Sequence, residues 1–183
     1  MDFSGIKAIT IPEGSVKKIS ANGVTLWEKV SYVNQIPLSI GSDGKPYNNG
    51  QGWKADTRLN STGSEVTSEG VSVTGFIPAK RGDTIYFKNV KTATSVGSKA
   101  EFTYLALYNK SFTHTSSRKF NTLQQSAIAY LISDVTVDAS GYITSLKVKD
   151  TYNEHLTDSG GYFRVSAEGL NSDSIITVNQ PIQ

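Results

Sequence analysis

No cysteine occurs in the 183-residue chain, which excludes a disulfide framework and thiolate chemistry and leaves the redox compartment open. Histidine is nearly absent too: His114 and His155 stand in separate polar contexts, and neither has metal-ligand spacing. Neither a nucleophile elbow nor a glycine-rich phosphate loop is present. The formal net charge is only +2, with no basic helix or long Lys/Arg run to supplement it, so nucleic acid is not an expected partner. Apolar runs are short, none approaching the roughly 20 residues that span a bilayer. The N-terminus MDFSGIKAIT carries no cationic n-region and no apolar h-region. Neither membrane insertion nor a cleaved signal peptide is expected, and synthesis in the cytoplasm is.

What is abundant favours strands. Thr, Ser, Val and Tyr are plentiful and there are 16 glycines. KKISANGVTLWEKV (17–30) alternates on both sides of Asn22-Gly23, a pair that tolerates the positive φ angles of a two-residue hairpin turn. IKAITIP (6–12) precedes it as a third extended run, so residues 6–29 read as a small meander closed by Trp27. A sheet this small is marginal alone. Residues 1–30 are therefore expected to be an attachment module and 31–43 a linker. A sandwich domain is expected over 44–183.

SDGKPYNNGQG (42–52) reads as loop and as the domain boundary. After it come VSVTGFIPA, TIYFKNV, EFTYLALYN, SAIAYLIS, YITSLKVK, GYFRVSA and SIITVN, separated by turn residues; only SAIAYLIS is ambiguous with helix. The fold class expected is all-β: an antiparallel, jelly-roll-like β-sandwich preceded by the hairpin. Period-2 alternation places Ile85, Phe87, Leu105, Leu107, Phe163, Val165, Ile176 and Val178 in its core. The opposite faces hold Phe102, Tyr104, Tyr108, Tyr162 and Arg164. Those aromatics either cover a sheet edge or form a platform on which sugar rings stack.

The order of motifs is informative. GQGWKADTRLNSTGSEVTSEGVSVTGFIPAKRGDTIYFKNV (50–90), LALYNKSF (105–112) and YFRVSAEGLNSDSIITVNQPI (162–182) set Trp53 ahead of Arg58-Leu59, then GFIP, then the Gly82-Asp83 turn, then a closing strand pair. This arrangement resembles a β-sandwich domain of tail, baseplate and receptor-binding proteins of phages infecting Gram-positive bacteria, a domain similar in character to carbohydrate-binding modules. ITIPEGSVKKISANGVTLWEK looks like a short segment that recurs in phage structural proteins. Residues 92–100 and 113–160 match no pattern.

The resemblance implies adhesion: a tail-associated receptor-binding protein, located in the virion and holding host cell-wall or capsular polysaccharide. Other tail or baseplate proteins and sister copies of the chain would be its partners. The alternative is a purely structural virion protein that binds no sugar. Tyr47, Trp53 and Tyr108 are the aromatic candidates for glycan binding, with Asp56, Arg58 and Arg164 as hydrogen-bonding partners. Arg58 serves equally as a structural ion pair or backbone clamp, and Trp53 as a core cap. NKSFTHTSSRKFN (109–121), with Lys110, His114, Arg118 and Lys119, reads as a solvated loop or as an attractor of an anionic wall polymer such as a teichoic acid. Asp134, Asp138, Asp150 and Asp158 are scattered in turn contexts, so no catalytic residue is expected, although two carboxyls across a cleft would suffice for a glycosidase. SDGKPYNNG contains oxygen ligands without the spacing of a calcium loop. No cofactor or metal is expected.

Overall fold

The structure is a computed structural model and describes residues 18–21, 24–28, 32–91, 104–119, 132–138, 143–148 and 160–182. The chain divides into two compact units, Met1–Tyr32 and Val33–Ile182.

In the first unit, β1 (Lys18–Ala21) pairs antiparallel with β2 (Val24–Glu28), closing with Ala21 opposite Val24 across a two-residue connection. That is the expected hairpin. Its register shifts between Ile19 and Ser20, so the regular alternation read from the sequence is interrupted there. The extra strand expected at 6–12 lies outside the described residues, as does the Asn22-Gly23 turn.

The second unit contains two antiparallel sheets. The larger is built from β3 (Trp53–Leu59), β4 (Glu65–Thr74), β5 (Ile77–Ala79), β7 (Tyr104–Tyr108), β8 (His114–Lys119) and β11 (Gly161–Glu168), in the order β3-β4-β11-β7-β8 with β5 also on β11. The smaller follows the order β12-β6-β10-β9, from β6 (Thr84–Lys88), β9 (Ile132–Val137), β10 (Ile143–Val148) and β12 (Ile175–Val178). These orders establish an antiparallel sandwich; the narrower jelly-roll connectivity is not established by them.

Both sheets contribute to one principal core. Ile85, Phe87, Leu146, Val148 and Ile176 of the smaller sheet meet Leu105, Leu107, Phe163, Val165 and Ala167 of the larger, with Val178 and Trp53 packed at the margin. All the residues expected in the core lie there, because period-2 alternation sends i and i+2 to the same face.

Two readings are corrected. Residues 33–43 are not a linker, because they pack as part of the sandwich. Ile36 is buried in the principal core, and Gln35 N–H donates to Ile176 O at 2.7 Å. Asn34 Oδ1 accepts from Ile176 N–H and Ile36 N–H, both at 3.1 Å, so this segment covers the outer edge of β12 that would otherwise present unpaired backbone. Gly52 fixes how closely the following loop returns: its φ is +81°, and a Cβ there would meet Ile36 O at 1.9 Å.

Residues 109–121, expected as a loop, are not all loop. Residues 114–119 form β8, paired to β7 with Leu105 opposite Arg118 and Leu107 opposite Ser116. Its polar sequence, HTSSRK, suits an edge strand whose pairing comes from the apolar neighbour.

Candidate functional site

Strand β11 lies inside the larger sheet, flanked by β4 and β5 on one side and β7 on the other. Phe163, Val165 and Ala167 point into the sandwich, so Tyr162 and Arg164 share the sheet's outer face. That face is not bare. A second apolar cluster of Leu59, Val73, Phe76, Ala106 and Tyr108 covers it, with Ile40, Phe112 and Tyr162 partly buried alongside.

At one end the face is closed by charge. Arg164 is 4% exposed; its Nε donates to Thr74 O at 2.8 Å, and one terminal nitrogen donates to Glu65 Oε1 at 2.7 Å and to Tyr47 Oη at 3.1 Å. Its guanidinium carbon sits 4.7 Å from the Phe76 ring centroid and 5.1 Å from that of Tyr47. Tyr47 O–H donates to Glu65 Oε1 at 2.8 Å, and Lys54 Nζ reaches Glu65 Oε2 at 3.0 Å. Burial by itself would raise the Glu65 carboxyl, but the hydrogen bonds from Arg164 and Tyr47 and the Arg164 charge hold it down at about 2. Burial pushes the Tyr47 phenol up, with the neighbouring Glu65 adding to the shift and Arg164 opposing it.

At the other end the face is aromatic. Phe76 makes edge contacts with Tyr108 (centroids 4.7 Å apart), Phe112 (5.0 Å) and Tyr162 (6.0 Å). Phe112 and Tyr162 stack, with centroids 4.7 Å apart and planes 17° from parallel. Phe112 reaches this position from the β7–β8 turn in a left-handed conformation, φ +60°. Asn109 organises that turn: its Oδ1 accepts from Ser111 N–H (2.9 Å) and Thr113 N–H (3.0 Å), while its carbonyl accepts from Phe112 N–H at 3.0 Å. Glycine normally takes the left-handed slot of such hairpins. A side chain there costs roughly 1–2 kcal/mol, and strain of this kind concentrates at functional sites.

Beside the stack opens a groove of 480 Å³, lined by Pro78, Lys80, Asp83, Lys110, Gly160 and Tyr162 among others. That is within the roughly 300–1,000 Å³ of small-molecule sites. Lys80 and Lys110 are exposed, and neither makes an ion pair among the described residues. Asp83 is buried and already engaged, its Oδ2 accepting from Lys80 N–H and its Oδ1 from Asn179 Nδ2, both at 2.8 Å. It closes the KRGD turn. Groups of three or more His, Cys, Asp or Glu able to hold a metal are absent among the described residues.

The six residues expected to bind glycan do not converge. Tyr47 and Arg164 meet in the charged network. Tyr108 is 3% exposed and donates its O–H to Gly63 O at 2.7 Å, burial pushing its phenol up to about 12. Arg164 and Tyr108 are thus structural: Tyr47 covers the first, while Phe76, His114 and the turn at Gly63 cover the second. Trp53, half-buried on β3, packs against the principal core. Asp56 sits exposed at an irregularity of β3, with φ +50°, and accepts from Gly70 N–H at 3.0 Å. Arg58 is half-buried and donates to Leu59 O at 3.3 Å. Phe112, Lys80 and Phe76 were not singled out by the sequence. The one signal for them is an Asn-initiated turn, Asn109 to Phe112, with no glycine where a left-handed residue is needed.

No family model, curated protein or solved structure matches this chain.

Proposed function

We propose that the chain is a phage tail-associated adhesin or receptor-binding accessory protein, and that it binds host cell-surface carbohydrate in the groove beside Tyr162. The observation that carries this reading is the Phe112–Tyr162 stack at the groove. Two half-buried rings are held together there by a strained turn, next to exposed hydrogen-bond donors on Lys80 and Lys110. The apolar C–H face of a sugar packs on such a ring, and polar groups at the margin fix its orientation. The tail assignment draws on the order of sequence motifs, from Trp53 to the closing strand pair. In this role the N-terminal hairpin docks the protein to other tail or baseplate proteins or to sister copies. Individually weak sites then add through effective concentration on one particle.

The groove favours binding over catalysis. Hydrolysis of a glycosidic bond requires two carboxyl groups facing each other across a cleft. Asp83, the carboxylate among the described groove residues, has both oxygens occupied by protein N–H groups.

The test is adsorption of the full chain to host cells and isolated wall polysaccharide. Tyr162→Ala should weaken it at least ten-fold while the protein stays folded. Equal adsorption by a folded Tyr162→Ala protein would refute the groove as the site. No adsorption by the wild type would leave a purely structural virion role.

A further inference from the structure

Resting on the reading of this groove as a glycan site, we infer that its ligand is a polyanionic glycan, bearing phosphate or carboxylate groups, and that Lys80 and Lys110 read that charge. A neutral sugar presents hydroxyls that both donate and accept, so a site for one supplies both kinds of group. Among the described residues, the exposed charged side chains of this groove supply donors alone. Each lysine ammonium has three N–H donors and no acceptor, whereas Asp83 is buried and its carboxylate oxygens are turned to Lys80 N–H and Asn179 Nδ2.

The two lysines come from different places. Lys80 follows β5 and opens the KRGD turn, whereas Lys110 lies in the β7–β8 turn two residues before the strained Phe112. They line one groove because β5 and β7 flank β11 on opposite sides, with Tyr162 opposite both Pro78 and Tyr108. The aromatic stack and the cations are thereby presented to the same ligand: a ring to pack on, and two point charges for acidic substituents along a chain. An anionic repeat polymer satisfies both, and an ammonium accepts either acid because it imposes no planar geometry.

The experiment measures binding of the full chain to three immobilised polymers, phosphomannan, polygalacturonate and neutral dextran, at about 50 and 500 mM salt. The variants are Lys80→Gln/Lys110→Gln and Tyr162→Ala, each checked for an unchanged melting temperature. The expected result is binding to one or both anionic polymers, weakened at least ten-fold by high salt and by the double lysine variant. Preference between the first two polymers identifies the acid as phosphate or carboxylate. Salt-insensitive binding to dextran, lost in Tyr162→Ala but kept by the lysine variant, overturns the charge inference and leaves the glycan groove standing. Binding to an anionic polymer untouched by the lysine variant also overturns it. Indifference of all binding to Tyr162→Ala overturns the groove reading and this inference with it.

Discussion

Replacing Arg164 by methionine keeps most of the side-chain volume and removes every donor. Thr74 O loses the 2.8 Å bond from Nε, and Glu65 and Tyr47 lose their shared cationic partner. Removing one member of a buried pair costs roughly 3–5 kcal/mol. Glu65 remains partly open to water and rehydrates, so the lower end applies, about 3 kcal/mol. For a domain of this size each kcal/mol moves the melting temperature by about 2–4 °C, so Arg164→Met should lower it by about 6–12 °C in calorimetry at pH 7. A pH series sharpens the test. The Glu65 carboxyl lies at about 2 in the folded protein against an ordinary 4.5. A depressed carboxyl contributes stability that is fully present above the ordinary value and lost as pH falls toward the folded one. The full shift corresponds to about 3 kcal/mol at 1.36 kcal/mol per unit, reduced by solvent screening of this partly exposed group to about 1–2 kcal/mol. Wild type should therefore lose that increment between about pH 4.5 and 2, and Arg164→Met should show little of it. A melting drop under about 2 °C, with parallel acid profiles for the two proteins, would refute the network as a stabilising element.

Two further outcomes are expected. Phe112→Gly relieves the left-handed strain, roughly 1–2 kcal/mol, and forfeits ring contacts of about 0.5–1.5 kcal/mol each; stability by urea titration should stay within about 1 kcal/mol while polysaccharide adsorption falls several-fold, and a stability loss above about 3 kcal/mol would make Phe112 a core residue. Deleting residues 1–30 should leave the sandwich melting transition within about 3 °C, because Val33–Ile182 is a compact unit in its own right, while weakening self-association or incorporation into the virion; a truncated protein that does not fold would place the hairpin in the main core.

The sandwich was legible because its core strands obey the simplest pattern. Thr84–Lys88 alternates Ile85 and Phe87 against Tyr86, and the observed burial follows that alternation. Of Ile132–Val137 only Ile132 and Ser133 fell in an expected strand, SAIAYLIS, whose other residues lie outside the described ones, and Trp53–Leu59 and His114–Lys119 escaped notice altogether. The latter two are polar sheet edges whose pairing is imposed by β4 and β7, a tertiary effect that outweighs local propensity. The linker reading of 31–43 failed for a related reason. Val33, Ile36, Leu38 and Ile40 are all apolar, yet Val33 and Leu38 are exposed, and the burial of Ile36 and Ile40 depends on β12 and Phe76, distant in sequence.

The site was less legible because alternation assigns residues to faces without saying what covers them. Tyr162 and Arg164 stand two residues apart on one face of β11, and by pattern alone they are equivalent. The loop over residues 36–52 makes them different: Tyr47 arrives above Arg164, encloses it and turns it into an internal tie, while the same loop leaves Tyr162 beside an open groove. Phe76 joins the two ends, lying under the Arg164 guanidinium and in T-shaped contact with Phe112 and Tyr162. A buried charge fixes a ring, that ring supports a stacked pair, and the pair borders the groove. The two substitutions therefore enter this chain of contacts at opposite ends. Arg164→Met acts on stability first and disturbs binding only as far as Phe76 shifts, whereas Phe112→Gly strips Tyr162 of its stacking partner beside the groove and leaves the tie at the other end intact.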